Sequence, residues 1–141
     1  MRHTTPNFQA LLQKFFTQRL MQEKRVSAHT ISSYRDTFRL LLRFARKCLR
    51  TSPDKLPFEK LDAPLIAAFL SELEKERGVT VRTRNLRLTA IRSFFRYLEY
   101  KVPACLEQAL RVRALPMKKS DKALIDYLTR EEMKALLAAP D

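Results

Sequence analysis

Arginine and small polar side chains recur at helical spacing in two parts of this sequence. The first set lies between residues 35 and 50 and consists of Arg35, Arg39, Arg43, Arg46 and Arg50. The second set lies between residues 82 and 96 and consists of Arg82, Asn85, Thr89, Arg92, Ser93 and Arg96. At about 100° per residue, each set falls on one face of an α-helix. Arginine binds phosphates and guanine edges in a bidentate manner, and Asn, Ser and Thr also bond to phosphates and bases. The spacing therefore predicts two helix faces that bind a polyanion, with nucleic acid as the leading candidate.

The distribution of charge supports the same interpretation. The formal net charge is +13, from 28 Lys and Arg against 15 Asp and Glu. Segments 28–50 and 80–101 each contain six basic residues and one acidic residue, whereas segment 60–77 contains three basic and four acidic residues. One arginine-bearing helix face is more often simply solvated, but two of them beside an acidic segment favour nucleic acid, because neutralised phosphates release counterions. An anionic membrane surface is the second candidate.

Residues for catalysis, metal binding or cofactor binding are not apparent. A single glycine excludes a glycine-rich phosphate loop. The histidines His3 and His29 are isolated, and the carboxylates of residues 72–76 have an i, i+2 spacing that spreads them around a helix. We predict that Cys48 and Cys105 are reduced thiols, and that the chain has no catalytic residue, no metal site and no cofactor.

The elements that must position the arginines are helices. A hydrophobic fraction of 45% permits a packed core, and the near absence of glycine disfavours hairpin-rich folds, so we predict an all-α protein. Capping residues and apolar positions three and four residues apart predict five helical segments. Their predicted starts are Asn7, Ser27, Asp62, Thr80 and Ala104. Gly78 is expected to end the third segment and Pro103 the fourth.

The last part of the chain has a different pattern. Residues 116–127 are charged and have no apolar period, which predicts a linker. Residues 129–132 (TREE) form a capping box that opens another helix, which we expect the end of the sequence to cut short. We therefore expect a domain over residues 1–115, a linker over 116–127 and the start of a truncated second domain over 128–141.

Three segments resemble one family. Residues 83–98 (TRNLRLTAIRSFFRYL) resemble the fourth helix of the N-terminal, core-binding domain of tyrosine recombinases of the phage-integrase type. Residues 27–35 (SAHTISSYR) resemble the start of that domain's second helix, and residues 128–137 (LTREEMKALL) resemble the first helix of the family's catalytic domain. The three segments occur in the family's order across nearly the whole chain.

The resemblance implies a four- to five-helix SAM-like bundle that packs on one side of double-stranded DNA. Its second and fourth helices would face the major groove of a recombination half-site. The residues expected to contact DNA are Thr30, Ser33, Arg35 and Arg39 from the second helix, and Arg82, Arg84, Asn85, Thr89, Arg92 and Arg96 from the fourth. Thr30 and Ser33 are expected from the resemblance alone. Arg84 and Arg87 fall toward the apolar side of the fourth helix, which leaves open that they only overhang its first turn.

The family's catalytic residues belong to its catalytic domain, so the resemblance implies a fragment without activity. The longer protein is expected to be a cytoplasmic enzyme that breaks and rejoins DNA through a 3′-phosphotyrosyl intermediate, with other recombinase protomers as partners. No small-molecule partner is expected, and no apolar run approaches the ~20 residues of a membrane span. Two alternatives remain: a stand-alone architectural DNA-binding protein, and a helical module that docks an acidic protein partner.

Overall fold

Helices form all the regular structure between residues 7 and 119, the part of the chain that the computed structural model describes. The α-helices are α1 (Phe8–Lys14), α2 (Ala28–Leu49), α3 (Ala63–Lys75), α4 (Val81–Lys101) and α5 (Leu106–Arg113). Short 3₁₀ turns occupy Pro53–Lys55, Phe58–Lys60 and Pro103–Cys105. The all-α prediction is confirmed. Of the predicted linker only residues 116–119 are described, and the predicted helix at 128–137 lies outside the described residues.

Side-chain caps start the four longer helical units where the sequence predicted. The caps, each accepting a hydrogen bond from the backbone N–H three residues later, are Asn7, Ser27, Asp62 and Thr80. Each cap satisfies a donor that the first turn of a helix leaves unpaired. The end of α3 differs slightly from the prediction, since the helix stops at Lys75 and Gly78 lies beyond it with φ +64°. The fifth helix starts at Leu106 rather than Ala104, because a 3₁₀ turn precedes it.

The first helix changes its winding halfway. After Lys14 it continues as a π-helical segment, Phe15–Glu23, and the N–H of Lys24 still donates to the carbonyl of Arg19, five residues earlier, at 2.9 Å. The sequence predicted an ordinary α-helix over this stretch. Because a π-helix has more residues per turn than an α-helix, the side chains after Phe15 point in directions that an α-helical wheel does not predict.

An aromatic cluster joins the first two helices to α4. Its members are Phe8, Phe15, Phe38, Phe94 and Tyr97. The ring of Phe94 lies 5.4–5.5 Å from the rings of Phe8, Phe15 and Phe38, each in an edge-to-face arrangement. Such aromatic pairs add stability beyond the burial of their area. The cluster therefore holds α2 and α4 at a defined separation.

No helix within residues 7–119 is long and apolar enough to cross a membrane.

Candidate nucleic-acid interface

A cleft of about 390 Å³ opens between the π-helical segment, the start of α2 and the middle of α4. Its basic lining residues are Arg19, Lys24, Arg92 and Arg96, and its hydroxyl-bearing residues are Thr30, Thr89, Ser93 and Tyr34. Phe15, Leu20, Val26 and Met117 supply its apolar surface. None of the described lining residues is a carboxylate. We call this surface the basic cleft.

Four of the ten residues predicted to contact DNA come together in the basic cleft. Thr89, Arg92 and Arg96 lie on one face of α4, as the helical spacing predicted, and Thr30 reaches the cleft from α2. The Ser27 cap positions Thr30 twice, since its hydroxyl oxygen accepts from the N–H of Thr30 at 3.2 Å and its hydroxyl donates to the Thr30 hydroxyl at 3.1 Å. The cleft is thus built from one capped helix start and one helix face.

Two cations of the cleft were missed by the sequence analysis. Arg19 lies in the π-helical segment and Lys24 caps its end, more than sixty residues before Arg92 and Arg96. The guanidinium of Arg19 also lies over the ring of Tyr100, 5.3 Å from its centre. Neither residue belongs to a polar helical stripe, and the change of winding redirects both. No sequence signal therefore placed them beside Arg92 and Arg96.

Arg35 and Arg39 lie on another side of α2. Five and nine residues after Thr30, they are rotated by about 140° and 180° from it around the helix axis. Both line a separate groove between the first helix and α2. The guanidinium of Arg35 is 6.0 Å from the ring centre of Phe16, and Arg39 forms an ion pair with Asp36 at 3.5 Å. The structure does not bring these two arginines into the basic cleft.

A part-buried contact joins α2 and α4 beside the predicted interface. Arg87 of α4 donates to the carbonyl of Ser33 at 3.3 Å and to the hydroxyl of Thr37 at 3.1 Å. Ser33 is itself half-buried, and Arg82 is exposed in the first turn of α4. Arg87, which the sequence left open as an overhanging side chain, is thus a cross-link between α2 and α4.

Arg84 and Asn85 contact the chain segment that follows α5. Arg84 is only 8% exposed, and its guanidinium donates to the carbonyl of Pro116 at 3.0 Å. The side-chain amide of Asn85 forms two hydrogen bonds with the backbone of Lys118. Arg84 therefore faces the protein's own backbone rather than solvent.

A second depression of the surface has the opposite charge. It has a volume of about 290 Å³ and is lined by Glu59, Asp62, Ala63, Pro64, Glu107, Gln108 and Arg111. No residue of α2 or α4 contributes to this lining. We call it the acidic groove. The cations of the basic cleft and the carboxylates of the acidic groove thus lie on different surfaces of the bundle.

Several ionisable groups outside the basic cleft form ion pairs. Lys47 donates to Glu72 at 2.8 Å, and this hydrogen bond raises the pKa of Lys47 above its ordinary value. Arg113 pairs with Glu99, and Arg111 pairs with Glu107 at 2.7 Å. Within residues 7–119, no three His, Cys, Asp or Glu side chains are grouped as metal ligands.

The family model of the phage integrase N-terminal SAM-like domain matches residues 13–101, from α1 to the end of α4. The chain belongs to this family. The match confirms the resemblance found in the sequence and agrees with the all-helical fold of the SAM-like domain.

The chain is also similar to proteins that are named as integrases or recombinases. The chain is 58% identical over 131 residues to integrase/recombinase y4rC of Sinorhizobium fredii, a match that covers 93% of this chain and 40% of that protein. It is 43% identical to integrase/recombinase y4rD of the same organism, covering 93% of this chain and 47% of that protein. Tyrosine recombinase XerC of Bacillus pumilus is 29% identical over 126 residues, which cover 89% of this chain and 38% of that protein. The chain thus spans less than half the length of these relatives. No solved structure matches the chain at a significant level.

Proposed function

We propose that this domain binds double-stranded DNA through the basic cleft, as the DNA-binding part of a longer site-specific tyrosine recombinase or integrase. The observation that supports this most directly is the lining of the cleft, in which four cations and several hydroxyls converge and no described residue is acidic. The chain belongs to the phage integrase family, and its named relatives are recombinases. Both findings favour duplex DNA as the polyanion that binds in the cleft.

The chemistry of the cleft suits the DNA backbone. Arg92 and Arg96 are one helical turn apart on α4, so their guanidinium groups can bind neighbouring phosphates, or one phosphate and one guanine edge. The hydroxyls of Thr30, Thr89 and Ser93 are suited to phosphate oxygens, and such contacts fix the register of a protein on the duplex. Arg82 would extend the same face of α4, while Ser33, Arg35 and Arg39 would contact DNA only outside the cleft. All of these contacts are predictions.

The longer protein is proposed to break and rejoin DNA. In the family that the sequence resembles, a tyrosine in the catalytic domain forms the 3′-phosphotyrosyl intermediate, and several protomers assemble on the recombination site. The role of the present domain would be to hold one half-site while that chemistry takes place. On this proposal the protein acts in the cytoplasm, with DNA and other protomers as its partners.

A titration of labelled duplex DNA followed by fluorescence anisotropy tests DNA binding. We expect micromolar affinity that weakens with salt, because bound Lys and Arg displace counterions. If ~5 phosphates are contacted, the slope of log K against log[salt] is about −4 to −5. Anionic vesicles and an acidic protein, titrated in parallel, should bind more weakly than the duplex. Equal or tighter binding to either competitor would favour the alternative of a docking module.

Paired variants locate the binding surface. Arg92→Ala/Arg96→Ala removes two cations of the basic cleft, so we expect affinity to fall by about 10- to 100-fold and the salt slope to become shallower by about 2. The matched control is Lys60→Ala/Arg111→Ala, which removes the same charge at exposed positions outside the cleft. The control should bind DNA within about twofold of the unmodified domain. Equal losses in the two variants would contradict the assignment to the cleft.

A further inference from the structure

The side chain of Asn85 pairs with the backbone of Lys118 on both sides. Its amide nitrogen donates to the Lys118 carbonyl at 2.8 Å, and its amide oxygen accepts from the Lys118 N–H at 3.0 Å. The two hydrogen bonds pair the backbone N–H and C=O of Lys118, which lies outside any helix. Asn85 and Lys118 are 33 positions apart in the sequence. It engages both polar atoms of the Asn85 side chain.

Arg84 holds the same segment two residues earlier. Its guanidinium donates to the Pro116 carbonyl at 3.0 Å and to the Asn85 amide oxygen at 3.0 Å. Among the described residues, no carboxylate forms an ion pair with Arg84, and its Nε is buried without a partner. A buried charge is costly unless it is hydrogen-bonded. The carbonyl of Pro116 therefore supplies part of what makes the burial of Arg84 tolerable.

Two further contacts locate the segment on the domain. The Lys118 ammonium group donates to Glu74 of α3 at 2.8 Å. Between the two anchored residues, Met117 lies in the lining of the basic cleft with Arg92 and Arg96. Residues 116–118 thus run from the first turns of α4 along the edge of the cleft.

We propose that Arg84 and Asn85 form a linker clamp, a pair of positioning residues that fix residues 116–118 beside the basic cleft. The clamp sets the position and direction of the backbone at residues 116–118, next to the basic cleft. This inference rests on the proposed function, because it assigns the clamp to the segment beside the proposed DNA-binding surface. It also separates Arg84 and Asn85 from the other predicted DNA contacts, because their polar groups are engaged with backbone.

Hydrogen exchange at the amide of Lys118 tests the clamp directly. In Asn85→Ala the acceptor of this N–H is lost, so we expect its exchange to accelerate by about tenfold. Leu86→Ala is the matched control, because Leu86 lies in the same turn of α4, is exposed and is outside the clamp. The control should leave the exchange of Lys118 unchanged. Unaltered exchange in Asn85→Ala would overturn the proposal.

A second variant tests the clamp from its other side. Lys118→Pro removes the N–H that donates to the Asn85 amide oxygen, but it keeps the carbonyl that accepts from the Asn85 amide nitrogen. Because the two hydrogen bonds hold the segment together, losing the first should loosen the second, so the side-chain amide protons of Asn85 should exchange faster in the NMR spectrum. This result remains informative if Asn85→Ala destabilises α4. Unchanged protection of the Asn85 amide would count against the clamp.

DNA binding then distinguishes positioning from direct contact. We expect Asn85→Ala to bind a short duplex within about twofold of the unmodified domain, because a positioning residue does not touch the DNA. A loss of tenfold or more with unchanged exchange at Lys118 would make Asn85 a DNA contact instead. If the unmodified domain bound no duplex, the proposed function would fail, while the exchange of Lys118 would still decide whether the clamp exists.

Discussion

The basic cleft and the acidic groove are depressions of similar size on one helical bundle, about 390 and 290 Å³. Four cations and no described carboxylate line the first, whereas three carboxylates and one arginine line the second. A surface made basic only for solubility would not be sorted in this way. The difference shows that four described cations converge, without a described carboxylate, where α2, α4 and the first helix meet.

Because salt screens distant charges, the charges that line a groove determine what binds in that groove. At physiological ionic strength, interactions between exposed charges fade over about 8 Å. A ligand in the basic cleft therefore responds mainly to the charges that line the cleft. The acidic groove can therefore serve as a control. A substitution there that changes the net charge as much as one in the basic cleft should have little effect on DNA binding.

Charge reversal should produce the largest contrast between the two surfaces. Arg96→Glu places a carboxylate in the basic cleft, so we expect duplex affinity at 0.15 M salt to fall by about 30-fold or more. Arg111→Glu makes the same change of net charge in the acidic groove and should lower affinity by about threefold at most. Anisotropy titrations measure both. Similar losses would show that total charge, rather than the cleft, controls binding.

Two part-buried polar cross-links should separate effects on stability from effects on DNA binding. Arg87 joins α4 to α2 through Ser33 and Thr37, and Gln108 of the acidic groove donates to the carbonyls of Phe58 and Leu61 at 3.0 and 2.8 Å. Arg87→Met and Gln108→Leu each remove two hydrogen bonds between distant parts of the chain, so the free energy of unfolding should fall by about 1–3 kcal/mol in urea denaturation.

Only one of these two variants should affect DNA. Arg87→Met loosens the contact between the helices that form the walls of the basic cleft, so we expect a loss of affinity of about 3- to 10-fold. Gln108→Leu, equally destabilised, should bind normally at temperatures where it is folded. Normal binding by Arg87→Met would show that the cleft does not depend on this cross-link.

The outer face of α2 should contribute less than α4. Because Arg35 and Arg39 line a different groove from Arg92 and Arg96, we expect Arg35→Ala/Arg39→Ala to weaken duplex binding by only about 2- to 5-fold. The reference is Arg92→Ala/Arg96→Ala, measured in the same salt series. A larger effect at the α2 positions would place the DNA across α2 rather than in the cleft.

The two cysteines concern reactivity rather than DNA binding. Burial raises the pKa of the Cys105 thiol, and the Glu59 carboxylate of the acidic groove raises it further. Since the thiolate is the reactive form, iodoacetamide at pH 8 should modify exposed Cys48 about tenfold or more faster than buried Cys105. Peptide mass spectrometry measures the two rates, and labelling in urea is the control, in which the rates should converge.

The same pKa shift predicts a modest pH dependence. The folded domain disfavours the Cys105 thiolate, so the neutral thiol contributes to the stability of the fold. This contribution is present below the ordinary pKa of the thiol and is lost as the pH rises through the raised pKa. Replacing Cys105 with Ala should flatten the decline of stability at alkaline pH, as measured by urea denaturation. An unchanged decline would assign it to other groups.

Local features of this protein were predictable from its sequence. The caps Asn7, Ser27, Asp62 and Thr80 form hydrogen bonds only three residues away, so short motifs sufficed to locate the helix starts. The face of α4 with Thr89, Arg92 and Arg96 followed from the rotation per residue, because α4 is a regular helix.

Predictability ended where distant segments meet. Arg35 and Arg39 belong to the same helix as Thr30, yet the packing of the first helix gives them a different groove. Arg84 matched the family pattern for a DNA contact, yet the chain after α5 returns across α4 and buries it. The rotation of Arg35 and Arg39 away from Thr30 follows from local periodicity. Which groove each face lines, and the burial of Arg84, depend on contacts between residues far apart in the sequence.

The sequence by itself determined that the chain is all-helical, that its positive charge lies on α2 and α4, and that it resembles the phage integrase family. The tertiary structure alone decided which charged faces converge. Arg19 and Lys24 reach Arg92 and Arg96 because the π-helical winding turns them and the aromatic cluster around Phe94 seats the first helix against α4. Helix faces are properties of local periodicity, whereas a cleft between helices depends on how their buried faces pack.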